Sequence, residues 1–222
     1  MSRIPKLIHY CRFGYLSANE LQNRCLKSWE KLLPEYTFQL WNEHNVPTDS
    51  DYLLSAIKNK KWANASNYMR ARVLYEQGGI YLDTDIEMLK SFDHLLNNEM
   101  FLGYEDDTYI NNAVWGSITQ HAFSKLVMDN IEQDFDGTEE ANLSSPQLIT
   151  RLLQSDRTNK ASIHLYPREY FYPIHWDKNI PELFTENTCC IHHWEGSWKE
   201  VSKNSFIKRL LRFAGIKPSA AH

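Results

Sequence analysis

The 222-residue sequence predicts an α/β fold built on a central, mostly parallel sheet. Three observations carry that prediction. An apolar stretch, a helical repeat and a second apolar stretch follow one another at the N-terminus. A Gly-Gly pair joins a long helical pattern directly to an apolar strand pattern. Strand-like and helix-like segments then keep alternating, with no internal repeat. A strand–helix–strand order brings the chain back to the end of the sheet where it began, which favours parallel pairing.

Residues 6–10 (KLIHY) form the expected first strand. Over residues 19–33 the apolar positions Leu21, Cys25, Trp29 and Leu32 recur at helical spacing, and Pro34 stops the helix. Thr37–Trp41 (TFQLW) alternates in part and reads as a second strand. Trp62–Gln77, rich in Ala, Met, Arg and Leu, is a long helix ended by Gly78-Gly79, because glycine adopts positive φ without penalty. Residues 80–88 (IYLDTDIEM) follow at once as a strand. Shorter strands are expected at residues 101–102 and 113–118, and helices at Ala122–Gln133 and 146–153. Residues 166–174 (YPREYFYPI) read as an extended connector and 189–194 (CCIHHW) as a late strand. Residues 1–200 are expected to form one domain. Residues 201–222 are a basic amphipathic tail whose helix, 205–214, suits either an anionic lipid surface or docking on the domain with its basic face outward.

Composition narrows the function. With 42% hydrophobic and 23% charged residues the chain is an ordinary folded protein. A net charge of −4 argues against a dedicated nucleic-acid binder. No apolar run reaches the roughly 20 residues of a membrane span, and the N-terminal apolar run is too short for a signal peptide. Cys11, Cys25, Cys189 and Cys190 form no CxxC pair and read as reduced, buried thiols, which fits the cytoplasm. Peripheral contact with the inner face of the cell membrane would come through the tail.

The chemistry concentrates in GGIYLDTDIE, residues 78–87. In a continuous strand, alternation puts Tyr81, Asp83 and Asp85 on one face and Ile80, Leu82, Thr84 and Ile86 on the other. Neighbouring carboxylates repel unless positive charge lies between them. A divalent ion compensates them, and hard oxygen ligands favour Mg²⁺ or Mn²⁺ with positions left for phosphate oxygens. On the preceding helix Asn67 and Arg70 are three residues apart and share a face. Arg70 suits either an Asp carboxylate or a substrate phosphate.

The run KWANASNYMRARVLYEQGGIYLDTDIE resembles the signature of glycosyltransferases with an Asp-x-Asp sugar-binding motif. These are the bacterial capsular-polysaccharide type transferases, related to yeast initiating mannosyltransferases and distantly to clostridial glucosylating toxins. IPKLIHYCRFG and SWEKLLPEYTFQLWNE resemble the opening elements of that family, and YPREYFYP and HHWEGSW its later motifs. The resemblance implies a GT-A fold, a nucleotide-diphosphate sugar as donor (a UDP-sugar in the first instance), Mn²⁺ or Mg²⁺ as cofactor, and a glycan or lipid-linked glycan as acceptor. It implies metal ligation by Asp83, Asp85 and a late histidine, for which strand alternation admits one of His192 and His193, with His192 preferred. It gives Asn67 and Arg70 the donor sugar. Donor contacts are expected at His9, Cys11, Arg12, Tyr81, Asp83 and Asn112, and at Ser197 and Trp198 in a loop closing over the diphosphate. His9 also reads as a partly buried histidine satisfied within the fold.

Two positions depart from the family pattern: Arg12 stands where relatives carry a Trp that stacks on the nucleobase, and Asn67 where they carry Asp. Arginine also stacks on planar rings, and an amide also hydrogen-bonds a hydroxyl. These departures keep open a nucleotide-sugar hydrolase or a catalytically weak binding protein. Asn111 and Asn112 read either as sugar contacts or as a turn, Gln147 as an acceptor contact or a plain helix start, and His175-Trp176 as an acceptor wall or as packing.

Overall fold

The computed structural model describes residues 2–14, 17–133, 135 and 144–196. Six strands form the main sheet, in the order β2-β1-β3-β6-β5-β7. β1 (Leu7–Cys11) pairs in parallel with β2 (Thr37–Trp41) and, on its other side, with β3 (Gly79–Leu82). β3 pairs antiparallel with β6 (Ile110–Ser117), β6 antiparallel with β5 (Met100–Tyr104), and β5 parallel with β7 (Ile163–Tyr166). Only β6 runs against the rest. A separate two-stranded ribbon pairs β4 (Ile86–Met88) antiparallel with β8 (Cys190–His192), Ile86 opposite His192.

Helices α2 (Asp51–Lys58), α3 (Trp62–Gln77), α4 (Ala122–Gln133) and α5 (Ser145–Gln154) cover one face of the sheet, over Tyr81, Met100, Leu102 and Trp115. α1 (Glu20–Leu32), α6 (Arg168–Phe171) and the ribbon cover the other, over Ile8, Ile80, Leu82 and Phe101. The result is a three-layer α/β/α sandwich on a mixed, mostly parallel sheet. α3 passes into β3 through Gly78 (φ 67°) and Gly79 (φ 99°). Any side chain on Gly79 would strike the Leu7 carbonyl of β1, so glycine is what lets β3 lie beside β1 straight after the helix.

Residues 80–88 are not one strand. β3 stops at Leu82, the chain turns through residues 83–85, and Ile86 N–H closes the turn on the Asp83 carbonyl at 3.1 Å. α1 is the physical cause. Trp29, fully buried, donates from Nε1 to the Ile86 carbonyl at 2.7 Å, and Met88 N–H donates to Ser28 Oγ at 2.9 Å, so β4 is captured by the helix and leaves the sheet. The shared strand face predicted for Tyr81, Asp83 and Asp85 therefore does not exist. The 166–174 connector instead holds the end of β7 and α6, with Phe171 fully buried. α2 and β7 escape the periodicity reading because one is eight residues long and the other is a half-buried edge of four. The helix expected at 205–214, and Ser197 and Trp198, lie outside the described residues.

All four cysteines are buried and free, and burial pushes the Cys11 and Cys25 thiols up to about 12. Among the described residues no helix is long and apolar enough to cross a membrane. His9 is fully buried under the sheet's helical layer. Its Nε2 donates to the Gly78 carbonyl at 2.9 Å and its Nδ1 accepts from Trp41 Nε1 at 3.2 Å. Both ring nitrogens are spent inside the protein, so His9 has no polar atom for a donor nucleotide.

Burial lowers the His9 pKa to about 4. The unfolded chain then binds the extra proton below about 6.5, and the folded chain resists it. Stability contributed by neutral His9 is complete above pH 6.5 and is lost as pH falls toward 4, by up to about 3 kcal/mol. Urea melts across that window should show the loss, and His9→Gln, which keeps a donor toward Gly78, should flatten it; an unchanged slope in the variant would refute the assignment.

Candidate active site

The turn after β3 and the end of β8 meet at the C-terminal edge of the sheet. Asp83, on the first turn residue, is anchored by its N–H to the Ala113 carbonyl at 2.9 Å. Asp85 sits two residues on and is buried. On β8, alternation sends His192 to Asp85, with Nε2 at 3.4 Å from Oδ1, and sends His193 the other way to Glu87 at 2.8 Å. The ligand atoms of Asp83, Asp85 and His192 lie within 4.8 Å of one another. Two carboxylates and one imidazole form a donor set that fits a divalent cation.

Arg70 braces the first carboxylate. It is buried on α3, donates from Nη2 to Asp83 Oδ1 at 3.0 Å, and donates from Nη1 to both the carbonyl and Oδ1 of Asn112, each at 3.0 Å. Its Nε reaches the Ser66 carbonyl at 3.4 Å, and its guanidinium lies 4.6 Å over the ring of buried Tyr81. Every arm of the guanidinium is engaged. Of the two partners expected from sequence, Arg70 has taken the carboxylate. Tyr81 supports Arg70 from beneath, and Cys11 is buried beside both. Asn112 is buried, its Oδ1 also accepting from Ser145 Oγ at 2.7 Å. Asn67 lies one turn before Arg70, half-buried, with no side-chain hydrogen bond among the described residues. Arg12, also half-buried, follows β1 and is tied by its N–H to the Trp41 carbonyl at 2.9 Å.

The charges hold one another in place. Burial pushes Asp83 up against the pull of Arg70, and Asp85 adds to the rise. Burial acts on Asp85 too, but the His192 ring and the Glu195 N–H outweigh it and hold the carboxyl below its ordinary range. Burial would lower His192, and Asp85 raises it instead. His192 Nδ1 is buried with no hydrogen-bond partner among the described residues.

A latch absent from the sequence reading fixes this corner. Trp194 takes a left-handed backbone (φ 54°) and packs its ring, tilted by 35°, 4.0 Å from that of His192. That bend returns Glu195 N–H to Asp85 Oδ2 at 2.8 Å. The Glu195 carboxylate in turn accepts from the side chains of Asn19 and Gln22, the capping-box pair of α1. The capping box closes the start of α1, and the fold brings it to Glu195. Elsewhere Gln147 accepts from Ser144 Oγ at 2.8 Å, as a plain helix start does. Asn111 donates to Glu105 at 2.7 Å.

Removing Arg70 strands Asp83 beside Asp85. Arg70→Met should cost about 2–3 kcal/mol, below the full cost of breaking a buried pair because the Asp83 side chain is 28% exposed. Adding Asp83→Asn should recover more than half of that. Denaturant titration of the two variants reads the difference, and a wild-type midpoint in the single variant would show that the pair does not stabilise the site.

Known proteins agree with this geometry. Residues 19–102 match the model of the glycosyltransferase sugar-binding region containing a DXD motif, and residues 117–212 match the alpha 1,4-glycosyltransferase conserved region. Over 168 residues the chain is 27% identical to the lactosylceramide 4-alpha-galactosyltransferase of Gorilla gorilla gorilla, covering 65% of this chain and 50% of that protein. Over 136 residues it is 28% identical to inositol phosphoceramide mannosyltransferase 3 of Schizosaccharomyces pombe, covering 58% of this chain and 37% of that protein. The chain thus spans half or less of the length of these relatives. In fold it is similar to the PaToxG glycosyltransferase (TM-score 0.57, 18% identity, 68% of this chain and 69% of that chain). It is similar too to the galactosyltransferase LgtC (TM-score 0.53, 12% identity, 97% and 98%). With two adjoining family regions, an Asp-x-Asp turn at the sheet edge and this fold, the chain is similar to the DXD-containing glycosyltransferases and has a fold of GT-A type.

Proposed function

We propose that this chain transfers a sugar from a nucleotide-diphosphate donor, a UDP-sugar in the first instance, to a glycan or lipid-linked glycan acceptor, using Mn²⁺ or Mg²⁺. The observation that carries the reading is the meeting of Asp83, Asp85 and His192 at the sheet edge, braced by Arg70. In open α/β sheets that edge is where nucleotides bind. The names of the curated relatives, which carry ceramide-linked substrates, favour a lipid-linked acceptor. The resemblance to capsular-polysaccharide type transferases supports a role in surface polysaccharide synthesis.

Asp83, Asp85 and His192 would hold the ion, which when bound neutralises the charge that develops on the departing nucleotide diphosphate. Arg70 keeps Asp83 oriented and adds positive field that needs no rearrangement as that charge appears. Asn112 fixes Arg70. Half-buried Asn67, one turn away, offers an amide to a sugar hydroxyl. The acceptor hydroxyl gives its proton to an oxygen of the leaving phosphate on the same face of the sugar, so the anomeric configuration is retained.

A panel of UDP- and GDP-sugars with Mn²⁺ should show nucleotide release from at least one donor. Asp85→Asn should lower that release by about 100-fold or more. Release that survives the substitution would overturn the reading, and NMR of an inverted product linkage would overturn retention.

A further inference from the structure

A second cluster lies on the same sheet edge, where β5 ends and β6 begins. Glu105 N–H is bonded to the Tyr109 carbonyl at 2.8 Å, which closes the hairpin and presents Glu105 and Asp106 side by side. His175 Nε2 lies 3.9 Å from Glu105 Oε1 and 3.7 Å from Asp106 Oδ2. The His175 side chain is 1% exposed, and its Nε2 has no hydrogen-bond partner among the described residues. Beside it the Trp176 indole is 61% exposed, yet its Nε1 donates to Glu105 Oε1 at 2.9 Å, so an apolar ring is held at a fixed angle in open solvent. The other Glu105 oxygen accepts from Asn111, and Asp106 Oδ1 accepts from the N–H groups of Thr108 and Tyr109. Asp106 Oδ2 lies 3.7 Å from the imidazole and has no hydrogen bond among the described residues.

The chemistry of the cluster selects its ligand. His175 Nδ1 accepts from Asp177 N–H at 3.0 Å, which puts the ring proton on Nε2. A cation would need the Nε2 lone pair, so the set is not a second metal site in this arrangement. Two carboxylates repel an anion, and a wholly apolar ligand would desolvate them without return. A sugar hydroxyl can donate to a carboxylate oxygen, and the C–H face of a sugar ring suits the indole. The position fits as well. Ring contacts run from His192 to Trp194 (4.0 Å), from Trp194 to His175 (5.9 Å) and from His175 to Trp176 (5.0 Å), linking this cluster to the Asp85 site without a break.

We propose that Glu105, Asp106 and Trp176, with His175 behind them, form the subsite that binds the acceptor saccharide. The proposal rests on the glycosyltransferase reading for its meaning, but its binding step does not depend on turnover. Glu105 and Asp106 take sugar hydroxyls, Trp176 takes the apolar face, and His175 orients the two carboxylates. Asn111, one residue from the Arg70 partner Asn112, couples the two halves of the site along β6.

The test separates binding from chemistry. Saturation-transfer NMR with lactose, maltose and cellobiose, without nucleotide or metal, should detect binding of at least one. Trp176→Ala and Asp106→Asn should each weaken it by about tenfold or more, while Trp176→Phe, which keeps a flat face, should lose less. With donor and Mn²⁺ present, the ratio of transfer to donor hydrolysis should fall by a similar factor in Trp176→Ala. Trp176 is exposed, so its loss does not threaten the fold. No disaccharide binding, or equal binding by Trp176→Ala, overturns the proposal. So does loss of one equivalent of bound Mn²⁺ in Glu105→Gln, which would make the cluster a cation site. Undiminished nucleotide release in Asp85→Asn, by contrast, would bring down the transferase reading and leave the saccharide result standing.

Discussion

Asp83 and Asp85 must be kept within a few ångströms of each other in surroundings that exclude much of the water that would otherwise screen them. Like charges at that spacing cost several kcal/mol at the low effective dielectric of a protein interior unless positive groups answer them. The fold supplies a different answer to each. Asp83 receives a buried guanidinium, itself locked by Asn112, Ser66 and the face of Tyr81. Asp85 receives an imidazole and a backbone N–H. The asymmetry leaves Asp83 Oδ2 free of those contacts, while both oxygens of Asp85 are engaged.

The placement of these groups depends on α1 more than on the sheet. By taking the Ile86 carbonyl with Trp29 and the Met88 N–H with Ser28, α1 pulls the chain out of the main sheet just after the two acids. The same helix, through its capping residues Asn19 and Gln22, holds Glu195 and so the backbone that closes on Asp85. One helix therefore aligns both strands of the small ribbon. A left-handed residue as bulky as Trp194 is costly in isolation. It is stabilised by packing against the His192 ring and by the bond from its indole to the Ile174 carbonyl at 2.8 Å.

Much of this was legible in the sequence. The Gly-Gly pair, the helical spacing of Trp62–Gln77 and the apolar strand after it follow local rules, and they put Arg70 and Asp83 near one another before any coordinates are known. Alternation separated His192 from His193 because strand geometry has a period of two. The break after Leu82 was not legible, since the sequence 80–88 satisfies strand rules throughout and only a distant helix interrupts it. The latch through Glu195 and the cluster of Glu105 with His175 were hidden for the same reason. Their partners lie far apart along the chain, and an acidic triplet at a hairpin looks like any solvated turn. His9 has two readings, a donor contact implied by the resemblance and a histidine satisfied within the fold, and its internal hydrogen bonds match the second.

The β4–β8 ribbon also bears on how the molecule comes into being. It joins Asp85 to Glu195 across 110 positions. Contacts of such separation close late, because a long loop must be ordered before they return any free energy. During ribosomal synthesis the N-terminal strands and the Arg70 helix can assemble while the acidic pair still lacks its histidine. The corner that gathers Asp83, Asp85 and His192 is thus completed only once the β8 segment has emerged, more than a hundred positions after the acids themselves.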